Sequence, residues 1–151
     1  TEYEGAMAEA VKLSCATCGQ MNRVPVGKLA DAPKCGSCGD LLADGKVIEF
    51  DAGAHDKATR GDEMALLVDY WAPWCGPCRA MAPEFIKAAK ALTGRARLAK
   101  LNTEDNPAIA SRARIQGIPA LVLYRRGREV ARLAGARPAA EIVAFVQGHL
   151  G

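Results

Sequence analysis

The sequence predicts an α/β layer fold, a mixed central sheet flanked by helices, with a small cysteine-rich module on its N-terminal side. Three observations predict it. From Lys46 onward, apolar strand-like runs alternate with helix-like periodicity. All six cysteines fall in Cys-x-x-Cys pairs, two of which lie before Lys46. The length of 151 residues suits one ordinary domain with a small appendage. A hydrophobic share of 50% with 25% charged residues excludes disorder and a collagen-like chain. No apolar run approaches the ~20 residues that span a bilayer, so a soluble protein without a membrane contact is expected.

The N-terminal module is expected over residues 9–44. Cys15 and Cys18 are separated from Cys35 and Cys38 by sixteen residues, a spacing that suits a four-thiolate zinc site. Glycine follows in Cys18-Gly19 and in Cys35-Gly36-Ser37-Cys38-Gly39, where tight turns would aim backbone N–H groups at the sulfurs. Residues 11–44 hold few large apolar side chains, and a chain below about 40 residues rarely folds without a metal or disulfides. Structural zinc on Cys15, Cys18, Cys35 and Cys38 supplies that stability. Two structural disulfides are the alternative, and they suit a secreted protein. Thr1–Ala10 is acidic and lacks the apolar stretch of a secretory signal, so a reducing, cytoplasmic location is expected.

The larger domain is expected over residues 45–151. Lys46–Phe50 reads as a short strand, Gly53–Arg60 as a weak helix, and Met64–Ala72 as a strand buried on both faces. Cys75–Thr93 reads as a long helix ended by Gly94, with Cys78, Ala82, Phe85, Ala89 and Leu92 in one apolar stripe. Pro83 inside it predicts a kink that keeps both helix faces buried. Ala96–Leu101 is a further strand, and Pro107–Ala113 a short helix capped by Asn106. Ala120–Tyr124 and Glu129–Leu133 form a hairpin around Arg126-Gly127. The last helix starts at Pro138 and carries Ile142, Phe145, Val146 and Leu150 on one face.

Charge is unevenly spread. Residues 1–51 hold five Lys/Arg against eight Asp/Glu, and residues 52–151 hold fifteen against nine. The net charge of +3 is too small to argue nucleic-acid binding. Arg125, Arg126, Arg128 and Arg132 read as a solvated strand edge around the hairpin turn.

The chemistry is expected at the third pair, where a buried strand turns into a helix. Cys75 at the helix N-terminus meets unsatisfied N–H groups and the positive end of the macrodipole, which favour its thiolate. It is the attacking sulfur, at the open end; Cys78, one turn later on the buried face, resolves the mixed disulfide. Gly76 lets a substrate backbone approach, and Pro77 is tolerated in the first turn. Asp69, six positions before Cys75, is a carboxylate in an apolar strand. Burial raises its pKa and lets it take a proton from Cys78. The alternative is that Asp69 faces water at a strand end or pairs with Lys100; the two readings are compatible where Lys100 tunes the carboxylate and the pair affects proton transfer. Ile118-Pro119 at a strand start is a candidate cis peptide.

Trp74-Cys75-Gly76-Pro77-Cys78-Arg79, Asp69, Lys100, Ile118-Pro119 and Gly135 together resemble the thioredoxin family, and the paired N-terminal knuckles resemble its zinc-bearing thioredoxin 2 subtype. The resemblance implies a thioredoxin fold, a cis bond at Pro119, and a substrate groove formed by Trp74, Gly76, Pro77, Ile118, Pro119 and Gly135. It further implies Cys75, Cys78, Asp69 and Lys100 as catalytic residues, and re-reduction by a thioredoxin reductase that uses NADPH, with no organic cofactor on this chain. Ala120 departs from the threonine common after the cis proline. The expected function is a monomeric cytoplasmic protein-disulfide reductase serving electron transport and cell redox homeostasis, acting on disulfide-bearing proteins. The alternative is a zinc-based, redox-sensitive docking module or switch.

Overall fold

The apolar run that precedes the third cysteine pair becomes the central strand of the protein. The computed structural model describes residues 9–150. Its elements are β1 (Ala10–Ser14), β2 (Met21–Pro25), β3 (Ile48–Glu49), α1 (Ala52–Gly61), β4 (Ala65–Trp71), α2 (Gly76–Ala91), β5 (Ala96–Asn102), α3 (Pro107–Arg112), β6 (Ala120–Arg125), β7 (Arg128–Ala134) and α4 (Ala139–Gln147). The main sheet has the order β3-β5-β4-β6-β7. Strands β3, β5 and β4 run parallel, while β6 and β7 are antiparallel additions. This is the expected mixed sheet.

Side-chain alternation along β4 sorts the core into two layers. Leu67 packs with Leu98, Leu121 and Leu123 under α2 and α4, meeting Met81, Phe85, Leu92, Ile142 and Val146. Leu66, Val68 and Tyr70 face the opposite layer, with Ala54 and Ala58 of α1 and Ile109 of α3. Asp69 shares the Leu67 side by the same period, and so looks toward α2. Helix α1 starts where the Asp51 carboxylate accepts from Ala54 N at 2.7 Å.

Three expectations about helices are corrected. Asn106 does not cap α3 through its side chain; its amide donates instead to the Asn102 carbonyl at 3.0 Å. Only one face of α2 is buried: Met81 and Ala88 replace Ala82 in the buried stripe, whereas Ala82 is exposed and Ile86 is 60% exposed. The helix runs as one element through Pro83. Pro138 precedes the first turn of α4 as its N-cap residue rather than opening the helix.

The N-terminal module is an antiparallel hairpin, β1 with β2, and a second knuckle stacked on a small core. Leu13, Val24, Leu29 and Leu42 form that core with Cys15 and Cys35, and Met64 enters it from the larger domain. The module is docked by a buried polar clamp. Ser14 donates from its N–H and its hydroxyl to one Asp62 oxygen, at 2.8 and 2.9 Å. Arg97 pairs with the other Asp62 oxygen and donates to the Ser14 carbonyl at 3.1 Å. Lys12 and Glu63 exchange two further bonds, at 2.8 and 2.9 Å.

Both ends of the Asp62–Arg97 pair are almost fully buried, so removing one partner strands a charge in the interface. Asp62→Ala is expected to cost about 3–5 kcal/mol in urea unfolding of the zinc-loaded chain. A loss below about 1 kcal/mol, typical of a surface pair, would contradict the clamp.

Candidate active site and metal centre

Strand β4 ends at Trp71, and four residues later Cys75 stands as the N-cap of α2. Its sulfur accepts from Cys78 N at 3.2 Å, so an unsatisfied helix-end donor is spent on this sulfur. Cys75 and Cys78 are joined as a disulfide with Cα atoms 5.2 Å apart. The open-end position of Cys75 does not translate into a large exposed area: it is 4% exposed against 2% for Cys78. What separates the two is their surroundings. Cys75 lies beside Trp74, 67% exposed, and its sulfur is 3.8 Å from the Ile118 carbonyl oxygen. Cys78 faces inward.

The Ile118–Pro119 bond is cis. Gly135 donates its N–H to the Pro119 carbonyl at 3.0 Å, which ties the end of β7 to this loop. Gly76 and Pro77 are exposed at the start of α2. The structure thus gathers Trp74, Gly76, Pro77, Ile118, Pro119 and Gly135 around the Cys75 end of the disulfide.

Behind the disulfide, a cavity of about 820 Å³ is lined by Cys78, Asp69 and Lys100, with Trp71, Phe85 and Ile86 among its apolar walls. Asp69 is 4% exposed, and its Oδ1 has no hydrogen-bond partner. Burial pushes its pKa up to about 7, and the positive charge of Lys100 only partly offsets this. Lys100 does not form an ion pair with Asp69. Register places Glu49, Lys100 and Asp69 at one level across β3, β5 and β4. The ammonium turns outward to Glu49 at 3.2 Å and lies 4.8 Å from the centroid of the Trp71 ring. Staying on the exposed side retains hydration, which a move toward Asp69 would sacrifice. Glu49 went unnoticed in the sequence, where the lone signal is a charged residue in a short apolar strand.

The other four cysteines meet at one point. Their sulfurs all lie within 4.8 Å of one another, with Cys15–Cys38 and Cys18–Cys35 both at 3.6 Å. Four sulfurs about 2.3 Å from a tetrahedral zinc are spaced by about 3.8 Å, so the donor set fits. The two knuckles are near copies. Gly19 and Gly39, at φ +82° and +81°, donate their N–H groups to the Cys15 and Cys35 carbonyls, each at 2.9 Å. These glycine N–H groups close the turns rather than reaching the sulfurs as the sequence suggests. The sulfur of Cys35 instead receives Ser37 N at 3.4 Å and the Asn22 amide at 3.5 Å. Asn22 is a supporting residue that the spacing of cysteines does not reveal.

The family model described as Thioredoxin matches residues 46–148, and the one described as Thioredoxin 2, N-terminal, matches residues 14–40. Thioredoxin C-3 of Corynebacterium nephridii is 38% identical over 136 residues, covering 90% of this chain and 93% of that one. Thioredoxin 1 of Nostoc sp. is 39% identical over 88 residues, covering 58% of this chain and 82% of its own length. Among solved structures, chloroplastic thioredoxin z superposes with a TM-score of 0.63 at 31% identity, over 68% of this chain and 93% of that one. Malassezia sympodialis thioredoxin gives 0.65 at 24% identity, over 74% and 96%, a likeness of fold.

Asp69 ionises near 7 in the fold and near 3.9 in an unfolded chain. The folded form therefore holds the extra proton between those values, and stability falls as pH rises from about 4 to about 7. The gap is worth roughly 4 kcal/mol. In the oxidised protein, Asp69→Asn is expected to flatten this fall and to unfold at higher urea than the parent at pH 8; equal midpoints at pH 8 would contradict it. Glu49→Gln releases Lys100 toward Asp69 and is expected to move the fall to lower pH. An unmoved midpoint would show that the Glu49 pair has no hold on the carboxylate.

Proposed function

The chain belongs to the thioredoxin family, and we propose that it reduces protein disulfides through Cys75 and Cys78, with zinc held by Cys15, Cys18, Cys35 and Cys38 in a module of residues 9–44 and the redox chemistry in residues 45–151. One observation carries the reading: Cys75 caps α2 within bonding reach of Cys78, while Asp69 and Cys78 share one cavity behind them.

In the reduced protein the Cys75 thiolate attacks one sulfur of a substrate disulfide. An S–S bond forms between Cys75 and the substrate, and the substrate's other sulfur leaves as a thiolate. Cys78 then attacks the Cys75 sulfur, passing its proton to Asp69, and the second substrate sulfur departs. Two electrons have moved to the substrate, and Cys75–Cys78 is the oxidised product. With a pKa near 7, Asp69 can both accept and return a proton at neutral pH. Lys100 tunes that carboxylate across the sheet.

Trp74, Gly76, Pro77, Ile118, Pro119 and Gly135 form the docking groove for an extended segment of substrate. The exposed indole of Trp74 supplies apolar contact, and the Ile118 backbone beside Cys75 supplies polar contact. Ala120, buried after the cis proline, leaves the groove without a hydroxyl there. When bound, zinc links four thiolates into one cross-link and so stabilises the module. Regeneration is assigned to a thioredoxin reductase drawing on NADPH, and the setting to the cytoplasm, where the protein acts as a monomeric electron carrier. No described helix is long and apolar enough to cross a membrane.

The roles of the two sulfurs differ in what their loss leaves behind. In a turnover assay on a disulfide-bonded protein with a chemical reductant, Cys75→Ser is expected to abolish catalysis. Cys78→Ser is expected to form a mixed disulfide that mass spectrometry detects on Cys75. Normal turnover by Cys75→Ser would rule the mechanism out.

A further inference from the structure

On the sheet face covered by α1 and α3, an open cleft of about 370 Å³ lies between the ends of those helices and the β6–β7 hairpin. None of the cysteines lines it. Four arginines do, Arg60 at the end of α1, Arg112 and Arg114 at the end of α3, and Arg132 on β7. Two are engaged. Arg132 forks onto Glu129 at 2.7 and 2.6 Å and also donates to the Ala113 and Arg114 carbonyls. Arg112 is bound to Asp56. Arg60 and Arg114 have no side-chain partner among the described residues.

The arithmetic leaves the cleft positive. Against the four arginines stand the carboxylates of Glu129 and Asp56, and the carboxyl ends of α1 and α3 add about half a negative charge each. Roughly one positive charge is uncompensated, and it belongs to the two arginines that have no partner. The floor is polar too. The Tyr124 hydroxyl at the bottom meets Tyr70 at 2.7 Å, Tyr70 meets His55 Nε2 at 2.7 Å, and His55 Nδ1 meets Asp56 at 2.9 Å. That buried chain fixes Tyr124 from behind, so the cleft is a shaped polar recess rather than a gap between mobile arginines.

We propose that this cleft binds a phosphoryl group, either free or as the ester of a small molecule. Planar guanidinium forks match the tetrahedral oxygens of phosphate in pairs, whereas a carboxylate would occupy only one fork. The volume exceeds that of one phosphate and leaves room for an organic part.

The test is an NMR titration of the full, zinc-loaded chain with inorganic phosphate and with glycerol 3-phosphate, at ionic strength held constant with chloride. Saturable shifts are expected at the amides of Arg60, Arg114, Gly127 and Arg132. The double variant Arg60→Gln, Arg114→Gln is expected to weaken binding at least tenfold while disulfide reduction is unchanged. Arg60→Lys, which keeps the charge and loses the fork, should weaken it about threefold. The control pair Arg23→Gln, Lys28→Gln removes equal charge from the zinc module and should change affinity less than twofold. Tighter binding of the ester assigns the site to an organic phosphate, and equal binding assigns it to free phosphate. Shifts that grow linearly without saturation, or equal weakening by both double variants, would reduce the cleft to a diffuse ion atmosphere and overturn the proposal.

Discussion

One buried strand sets the positions of both sulfur centres. Strand β4 pairs with β5 on one side and β6 on the other, so its register is held along its length. Just before its first residue, Asp62 receives Ser14 and Arg97, and Ser14 is followed directly by Cys15 of the four-sulfur cluster. Just after its last residue, the chain turns into α2 at Cys75. Seven strand residues at about 3.3 Å each put roughly 23 Å between these ends. The four metal-binding sulfurs and the exchanging pair are therefore kept at opposite poles of one rigid element.

The same strand places an acid in one cavity with Cys78, and the cost of doing so is visible. Alternation turns Asp69 toward α2, into the apolar layer that also holds Leu67 and Phe85. An ammonium lies at the same level, yet Glu49 draws it toward solvent. The carboxylate consequently remains poorly compensated and takes its proton near neutrality. A direct Lys100–Asp69 pair would hold the group ionised and leave it a poor proton acceptor. Stability is given up at one buried position as the pH rises, and the carboxyl keeps its proton up to about 7.

Much of this was legible in the sequence because it is local. Cys-x-x-Cys spacing, glycine after each knuckle, the apolar run of β4 and the turn from strand to helix at the third pair are short-range patterns, and the fold gathers the six cysteines into the quartet and the pair they imply. The buried stripe of α2 departs from the expected one at Ala82, since an i, i+4 count does not reveal which side of the helix the sheet covers. The residue type of Asn106 favours capping, whereas its side-chain bond goes back to Asn102. The Asp62–Arg97–Ser14 clamp joins residues 14, 62 and 97; only the oddity of Arg97 in an apolar strand hinted at it. His55, isolated in sequence, belongs to a hydrogen-bonded chain assembled from α1, β4 and β6. Such long-range polar contacts depend on sheet order, which periodicity alone does not encode.

The central claim is separation of the two centres. It is tested most directly by treating the reduced, zinc-loaded chain with one equivalent of a disulfide oxidant, then counting free thiols and bound metal together. Loss of two thiols, mapped to Cys75 and Cys78, with all the zinc retained, is expected. Release of zinc in step with the first two thiols lost would contradict it, because the sulfurs at the two poles would then be exchanging electrons as one system.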